Sequence, residues 1–456
     1  MKSSDVLFVI IAAALSVFCP AAGAQQTSEL TLEECLQMSE AGDPYVRGAR
    51  LDALAARSQK AEALWSYFPS VSINAMGYRS ANPLVTITLT DILGRSDAAR
   101  DLTNSLETYA QENGLNSSYT ALRSGYGASV MALQPLYAGG RIVSGNRLAA
   151  LGVQAADVQL RLRLRQTRQE VEKKYWTVVS LQEKETTLQR ADELLSSLER
   201  DVRSAVAAGL AGENELLQVL LKRKELSSGR VKLRSGLKLA KMDLFNAIGY
   251  QYRFFALDSV ALSGGCDSLL APRTYVVPEE NVPVFDESSL LGMQVESKKL
   301  EKNMQVGEFL PQVAVGAAYG YGNYLHSAAS FNGIAFATVQ VPITDIGKAV
   351  NRSRRYNYQI QKAGIEKEYL DAQLLLQLRQ LQVEMESAWD QLEVAREAAE
   401  VAADSQRRLR ADYDAGLATL SDLLQAELAL RNCEQESIER RIDYRLAVSA
   451  YLSRVQ

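Results

Sequence analysis

The feature that most restricts this chain is a glycine elbow that occurs twice. Tyr413-Asp-Ala-Gly-Leu-Ala-Thr-Leu-Ser-Asp-Leu-Leu424 lies between two helical patterns too long for an ordinary globular core. Val206-Ala-Ala-Gly-Leu-Ala-Gly-Glu-Asn-Glu-Leu-Leu217 repeats its plan, with an acid six residues after the glycine (Glu215, Asp422) and then Leu-Leu-Gln. Gly209 and Gly416 stand 207 positions apart. The chain therefore reads as two copies of one strand-and-helix unit, and such a repeat overrides the two or three domains that 456 residues would otherwise suggest.

Residues 1–24 carry the pattern of a secretory signal peptide: Lys2, an apolar core from Val6 to Phe18, and Ala22-Gly-Ala24 as the cleavage site. Phe18 is too large for the small residue that lipoprotein processing at Cys19 needs. Cleavage leaves Cys35, Cys266 and Cys433, an odd number that excludes a full disulfide framework and leaves one pair or three thiols open. No later run of about 18 apolar residues exists, so a membrane crossing would have to use β-strands.

The first copy, residues 25–249, opens with a helix carrying a capping box (Thr31, Glu34), broken at Gly42-Asp-Pro44 and followed by a second helix up to Phe68-Pro69. Alternation of Val71, Ile73 and Ala75 then predicts a strand at about 70–80, and a second strand is expected at about 125–135. Between them, residues 80–124 form a long polar connection with one alternating piece (Val85, Ile87, Leu89) and one weakly helical piece around Ala98 to Glu112. Gln134-Pro-Leu-Tyr-Ala-Gly-Gly-Arg141 reads as a strand-to-helix turn built on Pro135, Gly139, Gly140 and Arg141. Helices are predicted at about 141–208 and 214–248, the first with apolar heptads at 181, 188, 195 and 202 and a length of roughly 100 Å. Residues 250–286, with scattered Pro and Gly, are expected to be a linker.

The second copy, residues 287–456, runs in the same order: a helix, Leu310-Pro311, strands at about 312–323 and 333–343, a turn marked by Pro342 and Gly347, and helices at about 347–415 and 419–453. Pro135 and Pro342 are also 207 apart, whereas Pro69 and Pro311 are 242 apart, so the first copy holds 35 extra residues in its 80–124 connection. Insertions accumulate where a chain is exposed, which places this loop at a surface end.

Four strands of about ten residues are long enough to cross a bilayer but too few to close a barrel, and unpaired edges are not tolerated in lipid. Three copies supply twelve strands, with the helices left in water as a tube. The heptads alone would favour an ordinary coiled-coil homodimer, and the competing function is that of a periplasmic coiled-coil adaptor or scaffold. With 50 basic against 54 acidic residues and a net charge of −4, no broad basic surface invites nucleic acid. Arg161, Arg163, Arg165 and Arg168, like Arg352, Arg354 and Arg355, are spaced so as to scatter around a helix. His326 is the only histidine, no cysteine pair has metal spacing and no phosphate-cradling glycine loop occurs, so no catalytic residue, metal or cofactor is expected.

The Gln134–Arg141 turn, its looser counterpart Val341-Pro-Ile-Thr-Asp-Ile-Gly-Lys348 and both elbows resemble the TolC family of outer-membrane channel proteins over nearly all of the mature chain. The resemblance implies an α+β membrane protein: a homotrimer with a 12-stranded β-barrel in outer-membrane lipid and an α-helical periplasmic tunnel. It implies a passive exit duct for efflux or type I secretion, working with a periplasmic adaptor and an inner-membrane transporter. Gly209, Leu210, Gly416 and Leu417 match the family's adaptor-docking tips, and Glu215, Asp422 and Tyr413 match its periplasmic entrance. Ala418 stands where some members have a locking arginine, and Gln425 replaces a second acid ring.

Overall fold

The computed structural model describes residues 29–82, 85–94, 96–114, 118–121, 124–249, 261–264, 269–278, 284–323 and 329–455. The signal-peptide pattern, Cys266 and His326 lie outside them. The described chain forms two compact units. One comprises Leu54–Ala155 and Leu290–Lys367, and the other Met1–Ala53, Ala156–Ser289 and Glu368–Gln456.

The smaller unit is built on a four-stranded antiparallel sheet of β2 (Ser70–Arg79), β5 (Ser124–Ala138), β7 (Gln312–Asn323) and β8 (Ser330–Gln340), in that spatial order. β2 and β8 are its edges, each with a single partner. Two strands come from each half of the sequence. Helix α2 (Pro44–Trp65) leads into β2, and α7 (Asp286–Gly307) leads into β7. The β2–β5 connection is folded: β3 (Val85–Thr88) pairs with β4 (Ser118–Ala121), and α3 (Leu89–Leu93) and α4 (Asp97–Glu112) lie between them. The alternating piece stops short of Leu89 because the Thr88 amide and hydroxyl both donate to Asp91, at 2.9 and 2.8 Å, which caps α3.

The first strand-to-helix turn is shorter than the sequence suggests. Gln134, Pro135, Tyr137 and Ala138 all find partners on β7, and a register shift between Pro135 and Tyr137 lets the sheet absorb a proline that cannot donate to the ladder. The turn is only Gly139-Gly140, at φ of +62° and +76°. A Cβ on Gly139 would stand 2.1 Å from the Gly307 carbonyl oxygen, so this corner needs glycine both for its backbone conformation and for space. Arg141 is the first residue of α5 (Arg141–Ala207). In the second copy Pro342 follows β8, a short 3₁₀ turn spans Ile343–Asp345, and Gly347 lies inside α8 (Ile346–Asp414), with open space around its Cα. β8 therefore occupies 330–340 rather than 333–343, and no positive-φ glycine makes the second turn.

The larger unit is a helical assembly with three apolar cores. α1 (Leu32–Gly42), starting at the Thr31–Glu34 capping box, α6 (Glu213–Ala247) and α9 (Leu420–Val455) pack with the middle of α5 around Cys35, Tyr175, Trp176, Phe245 and Ile442. α8 and α9 enclose Met385, Leu392, Tyr444 and Tyr451. The third core joins α5, α6 and α9 through Leu188, Leu195, Leu198, Val202, Val219, Leu226, Leu420 and Leu423. The heptad positions 188, 195 and 202 are among these buried residues.

The segment read as a plain linker is tied to this bundle. Ala261–Leu262 (β6) pairs in parallel with Glu29–Leu30 (β1), and the Tyr175 hydroxyl donates to the carbonyls of Leu30 and Ser263, at 3.1 and 2.8 Å. Farther along, the Tyr444 hydroxyl donates to the Leu270 carbonyl and the Val277 amide donates to the Tyr451 hydroxyl at 3.1 Å. Burial pushes the Tyr175 and Tyr444 hydroxyls up to about 12, so both remain donors through the physiological range.

Candidate functional site

The two faces of the sheet differ in chemistry. Pairing register aligns Val71, Ala132, Ala317 and Ala335 in one row, Ile73, Val130, Tyr319 and Gly333 in the next, and Ala75, Ala128, Tyr321 and Phe331 in a third. No charged or amide side chain interrupts these rows, and Val71, Ile73, Tyr319 and Phe331 are exposed. The opposite face carries Ser72, Asn74 and Met76 beside Met131, Ser129 and Gly127, then Ala318, Gly320 and Gly322, then Ile334, Asn332 and Ser330. Over these three rows one face is apolar, bounded by Gln134 and Asn323 in the rows at its two ends, and the other mixes small and polar groups, which is the alternation of a strand between lipid and water.

Aromatic residues mark both ends of the sheet. At the end away from the helices, Phe331 stacks on Tyr319 at 5.8 Å and meets Tyr321 at 4.8 Å. At the helix end, Trp65 lies 5.4 Å from Phe68, and Trp65, Phe68 and Tyr137 are all exposed. Just beyond, Arg352 lies over the Phe309 ring and pairs with Glu308 at 2.7 Å, while Arg354 and Arg355 are exposed.

The two elbows share one backbone design. At the first, Gly209 has φ +73°, its amide donates to the Val206 carbonyl and the Leu210 amide reaches back to Ala205 at 2.8 Å. At the second, Gly416 has φ +74°, with Gly416 donating to Tyr413 and Leu417 to Asp412 at 2.7 Å. These paired bonds are the Schellman motif, which satisfies carbonyls at a helix end and requires a left-handed residue that glycine adopts without strain. Leu210 and Leu417 are 83% and 81% exposed, so neither is used to pack its own elbow.

The helix starts after the elbows differ. Thr419 and Asp422 form a reciprocal cap, in which the Thr419 amide and hydroxyl donate to the carboxylate and the Asp422 amide donates back to the hydroxyl. These bonds hold the Asp422 carboxyl below the usual carboxylate range. α6 has Gly212 at its N-cap position, with no side-chain cap, and Glu215 is half-buried. Tyr413 packs against the core around Leu420 and Leu423. Its hydroxyl is raised first by burial and then by nearby Glu215, so the structure brings these two predicted residues together, whereas Asp422 turns to its own cap. Ala418 takes part only through its amide, 3.3 Å from the Asp412 carbonyl, and Gln425 is exposed.

Two ion-pair groups near the elbows were not foreseen. Arg410 on α8 reaches Asp201 on α5 at 3.1 Å and also Asp414 at 3.2 Å. Buried Glu199 takes Arg203 at 2.6 Å and also Arg223 of α6. No local signal couples Asp201 to Arg410, 209 positions away; the 207-residue repeat offset is the one hint that they occupy nearly corresponding places. Among the described residues, no group of three or more His, Cys, Asp or Glu side chains is placed to hold a metal ion, and no helix is long and apolar enough to cross a membrane.

Residues 294–450 match the family model described as outer membrane efflux protein. No curated protein matches the chain. Among solved structures, a membrane protein from Pseudomonas aeruginosa aligns with a TM-score of 0.73 at 15% identity, covering 93% of this chain and 90% of that one. The outer membrane protein VceC from Vibrio cholerae aligns with a TM-score of 0.72 at 13% identity, over 92% and 95% of the two chains. The CmeC outer membrane channel of Campylobacter jejuni gives 0.72 and 13%, over 93% and 85%. The resemblance to TolC-family channels is borne out, and the fold is α+β and TolC-like.

Proposed function

We propose that the chain is one protomer of a trimeric outer-membrane channel that serves as the passive exit duct of a tripartite efflux or type I secretion system. The observation that carries this reading is the four-stranded sheet. It is long enough to cross a bilayer, apolar on one face, banded by aromatics at both ends and open at both edges. Pairing β2 of one copy with β8 of the next removes every edge and gives twelve strands around a lumen lined by the small and polar face. The exposed apolar row Tyr369, Leu376, Val383, Val394 and Val401 on α8, with spacings of seven, seven, eleven and seven, supports further contact between copies along this helix.

In this reading the helices stand in the periplasm and the exposed leucines at the elbows meet a periplasmic adaptor, behind which an inner-membrane transporter supplies the energy. Glu215, Asp422 and Tyr413 line the entrance, where three copies of each acid favour cations. Purified full-length protein is expected to behave as a trimer in detergent and to conduct ions across a planar bilayer. A detergent-independent monomer without conductance would instead support a periplasmic scaffold and refute the channel.

A further inference from the structure

The 35 extra residues of the first copy are not a slack loop, and their exposed chemistry is unexpected for a segment facing water. α4 buries Ala99, Thr103 and Ala110, while Leu102, Leu106 and Tyr109, at i, i+4 and i+7, form an exposed stripe on its flank. Ile92 of α3 is also 69% exposed. The stripe thus borders the segment's own buried side at Leu106 and turns outward at Leu102 and Tyr109.

We propose that this stripe packs against the same segment of the other two copies, so that three α4 helices meet across the outer mouth of the barrel and narrow it. The inference rests on the trimeric-barrel reading. Three observations select a second copy as the occupant. The insertion leaves and re-enters the sheet at the paired residues Arg79 and Ser124, at the end of the edge strand β2 that faces a neighbouring protomer. Its dimensions fit: α4 has 16 residues, roughly 24 Å of helix, and twelve strands spaced ~4.8 Å apart at a tilt of ~40° enclose a mouth of about the same diameter. Its charge disfavours an anionic lipid surface, because α4 carries Asp97, Asp101, Glu107 and Glu112 against Arg100 alone.

The test uses full-length protein in outer-membrane vesicles with Cys35, Cys266 and Cys433 replaced by alanine and a single new thiol from Leu106→Cys or Tyr109→Cys. Mild oxidation is expected to convert up to two-thirds of the chains to disulfide dimers, since three thiols around an axis make one pair. Gln111→Cys, on the opposite side of α4, is expected to remain unpaired. Oxidised Tyr109→Cys channels are expected to show at least a twofold lower single-channel conductance, restored by a reductant. An amine-reactive cross-linker reports trimers in the same samples. Intact trimers without the disulfide, quenching of a fluorophore at position 109 by spin-labelled lipid, or unchanged conductance after oxidation would each overturn the proposal. Absence of trimers in the cysteine-free parent would overturn the trimeric reading itself.

Discussion

Removing the Arg410–Asp201 ion pair is the most direct probe of how the elbows are held. Both residues precede a glycine elbow on its long incoming helix, so the pair links the two hairpins of one protomer close to where we place the entrance. The side chains are 27% and 53% exposed, which makes this a partly screened surface pair of about 0.2–1 kcal/mol. Three equivalent pairs broken together on opening amount to roughly 0.6–3 kcal/mol, or about a 3-fold to 150-fold change in the ratio of open to closed entrances. Arg410→Ala and Asp201→Ala are therefore each expected to raise the open fraction in single-channel recordings, and the double variant to add little to either. The difference from wild type is expected to shrink in 1 M salt, where the screening length falls to ~3 Å. Fully additive single effects, or open fractions equal to wild type at low salt, would refute the argument that this pair restrains opening.

Other residues lend themselves to equally specific tests. Gly140→Ala introduces only left-handed backbone strain of about 1–2 kcal/mol, whereas Gly139→Ala adds a collision with the Gly307 carbonyl worth roughly 1–3 kcal/mol more, so thermal denaturation in detergent is expected to rank them in that order. Equal melting temperatures would show that the corner relaxes freely. Burial raises the carboxyls of Glu427 and Glu434 on α9, with Gln406, Arg431 and Arg190 around them. Protonation therefore favours the folded state, and stability is full below the ordinary value of 4.5 and declines as pH rises through the raised values. Glu427→Gln is accordingly expected to raise the melting temperature at pH 8 and leave it unchanged at pH 4, and an equal shift at both would exclude titration as the cause. Combining Asp422→Asn with Glu215→Gln is expected to lower cation selectivity in bilayers, while unchanged selectivity would place both acids outside the conduction path. Charged residues at Leu210 and Leu417 are expected to abolish export without dissolving trimers, and retained export would argue against docking through the elbows.

What the sequence determined by itself was the architecture's repeating plan. Helix and strand periods are local properties, so Val71, Ile73 and Ala75 announced a strand and the heptads from 181 to 202 announced a long helix without reference to the rest of the chain. Glycine followed by leucine marked both elbows because a left-handed residue at a helix end is a local requirement. Tertiary structure decided what depends on partners distant in sequence. Pro135 belongs to a strand because β7 pairs on both sides of it, and Ala261–Leu262 is ordered because β1 lies beside it. Asp422 serves its own helix cap while Glu215 approaches Tyr413, and Arg410 finds Asp201 although 208 residues intervene, a pairing that no period or propensity encodes. The elbows were legible because their backbone is self-contained. The contacts that restrain them were not, because each is formed between helices.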